Sequence, residues 1–242
     1  MLYKTDGILL DHTRYGESNA IVHIFTKELG TKSYMVNGVL GKKKGDKIIL
    51  LQPLNILELE VYNKENKEIQ RIKEFKLIRH QERIPYIQER RAQTFFITEM
   101  LSQILRNENS NKPLYDFIEN AVLFLDSDRV GIENYHLFFL FQLSSFLGFL
   151  PNGQNATIFP YFDLREGSFV SKEPLHPFFF TPELSKIFSR FFIINNENLP
   201  QLAMNVNERK MLLKTIVSFY EFHFPNRLKL NSLDVLRNLF FI

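Results

Sequence analysis

The sequence predicts an α+β chain, with a small all-strand region first and a helical region behind it. Two observations carry that class. Over the first eighty residues the apolar side chains come in short, β-branched runs separated by turn signals. From Pro85 onward they recur at helical spacing instead.

The strand region begins with Gly7-Ile-Leu-Leu, Ala20 to Thr26 and Ser33 to Val36. The turns between them are Tyr15-Gly16-Glu17-Ser18 and Glu28-Leu29-Gly30-Thr31. A lysine-rich loop follows, then the runs Ile48 to Leu51 and Ile56 to Tyr62, with Pro53 between them implying a bulge or bend. Ile56 to Tyr62 alternates apolar with acidic side chains, as a half-buried strand does. Asn63 to Lys67 turns the chain, and Ile69 to Ile78 makes the fifth strand. Five strands in about eighty residues suit a small, partly open barrel of the OB type.

In the helical region, Phe95, Phe96, Met100, Ile104 and Leu105 mark one helix, ended by Asn107 to Asn111. Leu114, Phe117, Ile118, Val122 and Leu125 mark a second. Tyr135 to Leu147, stopped by Gly148 and Pro151, is apolar nearly all round and is expected at the centre of a bundle. Pro151 to Pro182 holds five of the ten prolines and shows no sustained period. It reads as irregular, or as a short hairpin around Phe162 to Val170. Helices resume at Thr181-Pro182-Glu183, an N-cap followed by a proline and an acid. Asn207 is the expected cap of the helix carrying Leu212, Leu213, Ile216, Phe219 and Tyr220. Asn231 with Asp234 resembles a capping box for the last helix. The expected domains are residues 1–80, the barrel, and 81–242, the helices, with 151–180 irregular.

No run approaches the roughly 18 apolar residues of a membrane span, and charges occupy the place a leader's apolar core would need. A cytosolic protein is expected. The chain has no cysteine, which excludes disulfides, thiolate metal sites and cysteine nucleophiles. Net charge is +3, yet residues 1–80 alone carry +4 and the rest −1. A basic segment on a nearly neutral body suits an anionic partner, and uneven sampling of a solvated surface accounts for it equally well.

The search for catalytic chemistry returns little. The six histidines are scattered, and HExxH, GxSxG, P-loop and GxGxxG patterns are all absent. His23 sits within a strand pattern and reads as structural. Asp126 and Asp128 read as a solvated turn at a helix end rather than metal ligands. No catalytic activity, cofactor or metal is expected.

The cationic loop is the stronger signal. Lys42, Lys43, Lys44 and Lys47 lie between glycines and an apolar run, and Arg14, Tyr15, Lys27 and Lys32 belong to the same strand region. Barrels of this type bind single strands with a positive groove and aromatic stacking platforms. Lysine contacts phosphate without reading bases. A solvated turn is the competing reading of the loop, and Tyr15 either stacks a base or anchors its turn.

Several segments together resemble the RecO family of bacterial recombination mediators. Tyr15-Gly16-Glu17-Ser18, Phe25-Thr26, Gly30, Gly38, Lys42-Lys43-Lys44 and Gln52-Pro53 match its opening in order. Leu147-Gly148-Phe149-Leu150-Pro151 and Leu230 to Arg237 match a helix end and the C-terminal helix. The resemblance implies an OB-fold, a helical domain and no catalysis. It implies binding of single- and double-stranded DNA, annealing of complementary strands, and nucleoid association. It further implies action with RecR to load RecA on DNA coated by single-strand-binding protein, whose acidic C-terminal tail is contacted. Arg90, Arg91 and Arg129 are candidates for that tail, and the chain is expected to be monomeric alone. Alternatives left open are an interaction scaffold with weak DNA affinity and an RNA-binding barrel, since lysines alone do not distinguish ribose from deoxyribose.

One departure matters. Many such proteins carry a four-cysteine zinc site just after the Leu-Gly-Phe-Leu-Pro element. Without cysteine that site is impossible here, so Pro151 to Pro177 must be held by Phe159, Tyr161, Phe162, Phe169 and Phe178 to Phe180, or else be mobile.

Overall fold

The structure, a computed structural model, describes residues 1–40, 49–64, 66–226, 228–233 and 236. By compactness the chain forms two units, Met1–Asp128 and Arg129–Ile242. The first two helices therefore group with the strands.

In the first unit five strands close a barrel in the order β1-β2-β3-β5-β4. They are β1 (Leu2–Tyr15), β2 (Asn19–Thr26), β3 (Gly30–Val36), β4 (Ile56–Tyr62) and β5 (Ile69–Leu77). Closure depends on β1. Its first half, Leu2 to Ile8, pairs with β4, and its second half, Gly7 to Tyr15, pairs with β2 across a bulge between Leu9 and Asp11. The bulge bends one long strand around two neighbours. Gly7 sits at the handover, where an added Cβ would lie 2.5 Å from a methyl of Ile24. Leu9, Val22, Ile24, Tyr34, Leu59 and Val61 fill the interior. Burying each aliphatic one is worth about 1.5–3 kcal/mol over leaving it exposed.

The described part of the apolar run after the lysine loop is not a strand. Ile49–Leu51 is a short 3-10 turn, and Ile48 lies outside the described residues. The Asn55 side-chain amide donates to the carbonyls of Ile49 and Leu50, at 2.8 and 3.2 Å, and so holds the turn. Leu51 is buried. Leu51 packs into the barrel core while Ile49 stays exposed, and the described part of the run does not pair in the sheet.

Two helices complete this unit, α1 (Gln88–Ile104) and α2 (Lys112–Leu125). Asn111 caps α2 by accepting the Leu114 N–H, and Pro113 lies in its first turn. Tyr115 of α2 packs on Phe25 of β2, ring centroids 6.0 Å apart. Gly30, at φ +70°, lets β3 start directly against the backbone of Glu108 and Asn109. The next residue, Thr31, donates its N–H to the Glu108 carbonyl at 2.9 Å.

The Asp126 turn is a second correction. Asp126 is buried, and its carboxylate accepts the backbone N–H groups of Glu82, Arg83 and Ile84 at 2.8–3.0 Å. Only Asp128 is solvated, paired with Arg83.

In the second unit α3 (Tyr135–Phe146) is buried on nearly every side, as an all-apolar helix should be. The Tyr220 hydroxyl of α5 (Val206–His223) donates to the Leu140 carbonyl of α3 at 2.6 Å. Helix α4 (Pro182–Ser189) starts at Thr181 as expected. The cap of α5 is Asn205 instead of Asn207. Glu208, three residues past Asn205, completes a reciprocal capping box, whereas the same offset from Asn207 finds Lys210. Most of the last expected helix, Asp234 included, lies outside the described residues.

The proline-rich segment is ordered. It forms β6 (Tyr161–Asp163), β7 (Ser168–Val170) and β8 (Phe179–Phe180), a three-stranded sheet in the order β7-β6-β8, and β6–β7 is the expected hairpin. Phe162 is fully buried, with ring centroids of Phe169, Phe180 and Phe188 at 4.8–5.5 Å. Asp163 accepts the N–H groups of Arg165 and Glu166 and pairs with His176 at 3.2 Å. Among the described residues no group of three or more His, Asp or Glu is placed to hold a metal. The residues present do not fit a zinc site; rings and one Asp–His contact hold this sheet.

Candidate nucleic-acid interface

The lysines Lys42, Lys43, Lys44 and Lys47 lie outside the described residues. The remaining candidates divide by what surrounds them.

Arg14 and Tyr15 end β1 at the β1–β2 hairpin. Arg14 donates from Nε to the Gly16 carbonyl and from Nη2 to the Glu17 carbonyl, both at 3.1 Å. Gly16 at φ +66° makes that reversal possible. Arg14 thus shapes the turn while its cation stays exposed. Tyr15 is 55 % exposed, so it lies open on the surface. Ser18 and Asn19 accept the N–H groups of Leu40 and Gly38, at 2.9 and 3.0 Å. Those bonds tie the hairpin to the segment leading into the lysine loop.

Lys27 is committed elsewhere. Its ammonium pairs with Asp116 at 2.7 Å and lies 5.3 Å from the Tyr115 ring centre. The Asp116 carboxylate holds its pKa above the ordinary value. Lys32 stands opposite Ile24, on the inward-facing register of β3, and is half-buried.

Register then shows what the sequence alone did not bring together. In paired strands directly opposed side chains share a face. Leu2 opposes Tyr62, Tyr62 opposes Arg71, Arg71 stands level with Met35, Met35 opposes Ile21, and Ile21 opposes Thr13. The adjoining Val61 and Ile72 belong to the core, so this row faces outward. It is an apolar and aromatic band with one guanidinium in it; Leu2 and Tyr62 are exposed. Beside it runs a second row of Asp11, His23, Ser33 and Ile69. His23 shares a 3.0 Å hydrogen bond with the Ser33 hydroxyl and lies 3.7 Å from Asp11. It is hydrogen-bonded as expected, but on the outer face.

The charges on the barrel are unevenly neutralised. On the β1–β4–β5 side, Lys4 and Lys73 both pair with Glu60, at 3.2 and 2.7 Å, and Lys76 pairs with Glu58 at 3.2 Å. Lys73 first, then Lys4, holds the Glu60 carboxyl below the usual carboxylate range. Arg14, Lys32 and Arg71 make no ion pair with any described residue. Arg14, Lys32 and Arg71 thus carry unneutralised charge, as do Asp11, Glu17 and Glu74 on the same strands and turns, which pair with no described Lys or Arg.

The three arginines named for an acidic tail have different surroundings. Arg90 is buried and donates to the Leu125 and Ser127 carbonyls, which takes it off the surface. Arg129 belongs to the second unit, where it donates to the Asn196 carbonyl. Arg91 alone borders an apolar groove, about 210 Å³ in volume, lined by Pro53, Ile84, Pro85 and Phe95.

The chain matches the family models described as recombination protein O N terminal, over residues 1–81, and recombination protein O C terminal, over residues 89–232. It is similar to proteins named DNA repair protein RecO. It is 35% identical to that of Bacteroides fragilis over 241 residues, 99% of this chain and 100% of the relative. Identity is 34% over 240 residues with that of Phocaeicola vulgatus, and 32% over 242 residues with that of Flavobacterium psychrophilum, at the same coverage.

Proposed function

The chain belongs to the RecO family, and from that premise we propose that it acts in DNA repair and recombination as a non-enzymatic, DNA-binding strand-annealing mediator. The observation that carries this reading is the row of outward side chains through Tyr62, Arg71, Met35 and Ile21, with exposed Arg14 and Arg71 lacking ion-pair partners among the described residues. Cations joined to apolar and aromatic surface suit a strand whose phosphates are charged and whose bases are flat. Contacts of this kind do not read sequence, as an annealing protein requires.

The proposed action is to bring complementary single strands together and, with a RecR-like partner, to load RecA on DNA coated by single-strand-binding protein. The proposed seat for that protein's acidic tail is the groove of Pro53, Ile84, Pro85 and Phe95, where Arg91 supplies the cation and exposed Phe95 the apolar contact. Strand annealing tests the proposal. Complementary labelled oligonucleotides should pair markedly faster with the protein present, with and without single-strand-binding protein. An unchanged rate, with RecR binding intact, would make the chain a partner scaffold instead.

A further inference from the structure

Resting on the reading that the groove of Pro53, Ile84, Pro85 and Phe95 seats an acidic tail, we propose that Thr94, which lines it, sets its specificity. The Thr94 hydroxyl donates to the same carboxylate that pairs with Arg91, whether that carboxylate ends a chain or belongs to an acidic side chain.

Three observations support the assignment. Thr94 is 3 % exposed, lines the groove, and its hydroxyl meets no hydrogen-bond partner among the described residues. A threonine inside a helix can turn its hydroxyl back to the carbonyl four residues earlier. Thr98, in the same helix, donates in this way to the Thr94 carbonyl at 2.6 Å, and Thr215 of α5 to the Met211 carbonyl at 2.8 Å. Thr94 does not, and an unmet buried hydroxyl is costly and rare. A helical threonine has two open χ1 rotamers, so one turn about χ1 brings the shielded hydroxyl to the groove with the helix in place.

The second observation is charge. Among the described residues lining the groove, Arg91 is the one charged side chain. It is exposed, donates to the Pro85 carbonyl at 3.3 Å, and pairs with no described carboxylate. Arg91, Thr94 and Phe95 stand at i, i+3 and i+4 on α1 and so share a face. One carboxylate can take the guanidinium and the hydroxyl together while an apolar side chain beside it lies against Phe95 and the prolines.

The third is a wall set in advance. The Asn55 N–H donates to the Gln52 carbonyl at 3.1 Å, closing a turn over Pro53 and Leu54. Leu54 has φ +59°, at a turn position that ordinarily takes glycine. Its buried side chain and its N–H bond to the Leu9 carbonyl, at 2.9 Å, keep it there, and the Gln81 amide donates to the Pro53 carbonyl at 3.2 Å. Backbone held in a disfavoured conformation by its surroundings clusters at binding sites. Such a wall needs no ordering when a ligand arrives.

Fluorescence anisotropy of the full chain with a labelled peptide of the single-strand-binding protein's C-terminal tail tests this. Thr94→Val, which keeps the shape and removes the hydroxyl, should weaken binding on the order of tenfold. Thr94→Ser should bind nearly as the wild type does. Thermal melts of the free proteins should not follow binding: Thr94→Val, relieved of an unmet hydroxyl, should melt at or above the wild-type temperature. A tail peptide with an amidated end separates the two sources of carboxylate. Loss of the Thr94→Val difference assigns it to the chain end, and persistence assigns it to an acidic side chain. If Arg91→Ala loses the peptide but Thr94→Val binds like wild type, or melts clearly lower, Thr94 is wrongly assigned and the groove reading survives. If Arg91→Ala keeps the wild-type affinity, or the wild type does not bind the peptide, both fall.

Discussion

Arg90 donates to the carbonyls on either side of Asp126, those of Leu125 and Ser127, while the Asp126 carboxylate takes the N–H groups of residues 82–84. Two buried charges thus hold one joint, where the chain leaving β5 meets the end of α2. Asp126→Ala would strand those N–H groups, and each unmet buried donor costs about 1–3 kcal/mol. We expect the variant to lose about 3 kcal/mol or more, and Asp126→Asn, which keeps one acceptor oxygen, to lose less. Urea denaturation of the three proteins checks the order; equal stabilities would mean the joint is solvated after all.

The lysine loop makes a separate prediction. Replacing Lys42, Lys43 and Lys44 with alanine should lower the salt dependence of single-strand binding by about 2 in slope. Binding should weaken alike for different base sequences. An unchanged slope would leave the loop as a solvated turn.

Glycine at position 30 serves two needs, and Gly16 separates them. Both have positive φ, +70° and +66°, where a side chain costs roughly 1–2 kcal/mol. At Gly16 an added Cβ meets nothing within 4 Å, whereas at Gly30 it would collide with the backbone of Glu108 and Asn109. Gly30→Ala should therefore destabilise clearly more than Gly16→Ala, as read from thermal melts. Equal losses would mean the approach of β3 to residues 108–109 relaxes freely.

Acid should weaken the second unit through His136. Burial, aided by Arg209, lowers its pKa to about 3, against about 6.5 for an unfolded histidine. Between those values the unfolded chain binds a proton that the folded chain refuses, so stability is full above about pH 6.5 and falls as pH drops towards 3. Denaturation midpoints from pH 7 to 4.5 should decline more steeply in wild type than in His136→Gln. Parallel slopes would show that His136 titrates normally.

Local pattern revealed the helices and most strands, because each buries one face at its own period. It showed only Gly7 to Leu10 of β1, although the strand runs from Leu2 to Tyr15. Past the bulge, Asp11 to Tyr15 is exposed on both faces, so no alternation is there to read. Charge was legible, but neutralisation was not. Lys27 and Asp116 meet only because α2 packs on β2, and Tyr62 meets Arg71 only through register. The outward position of Tyr62 was implicit in the alternation from Ile56, yet its neighbours required the closed barrel.

The sheet built on Phe162 has a consequence for when the protein can work. Thiolate zinc sites are lost to oxidants and to metal starvation, since the sulfur that binds the ion is also what peroxide attacks. Here the same region rests on packed aromatic rings and the Asp163–His176 contact, in a chain without a single thiol. Oxidative stress breaks DNA and oxidises cysteines at the same moment. The contacts that hold this sheet include no thiol to oxidise, so its packing depends on no cysteine chemistry.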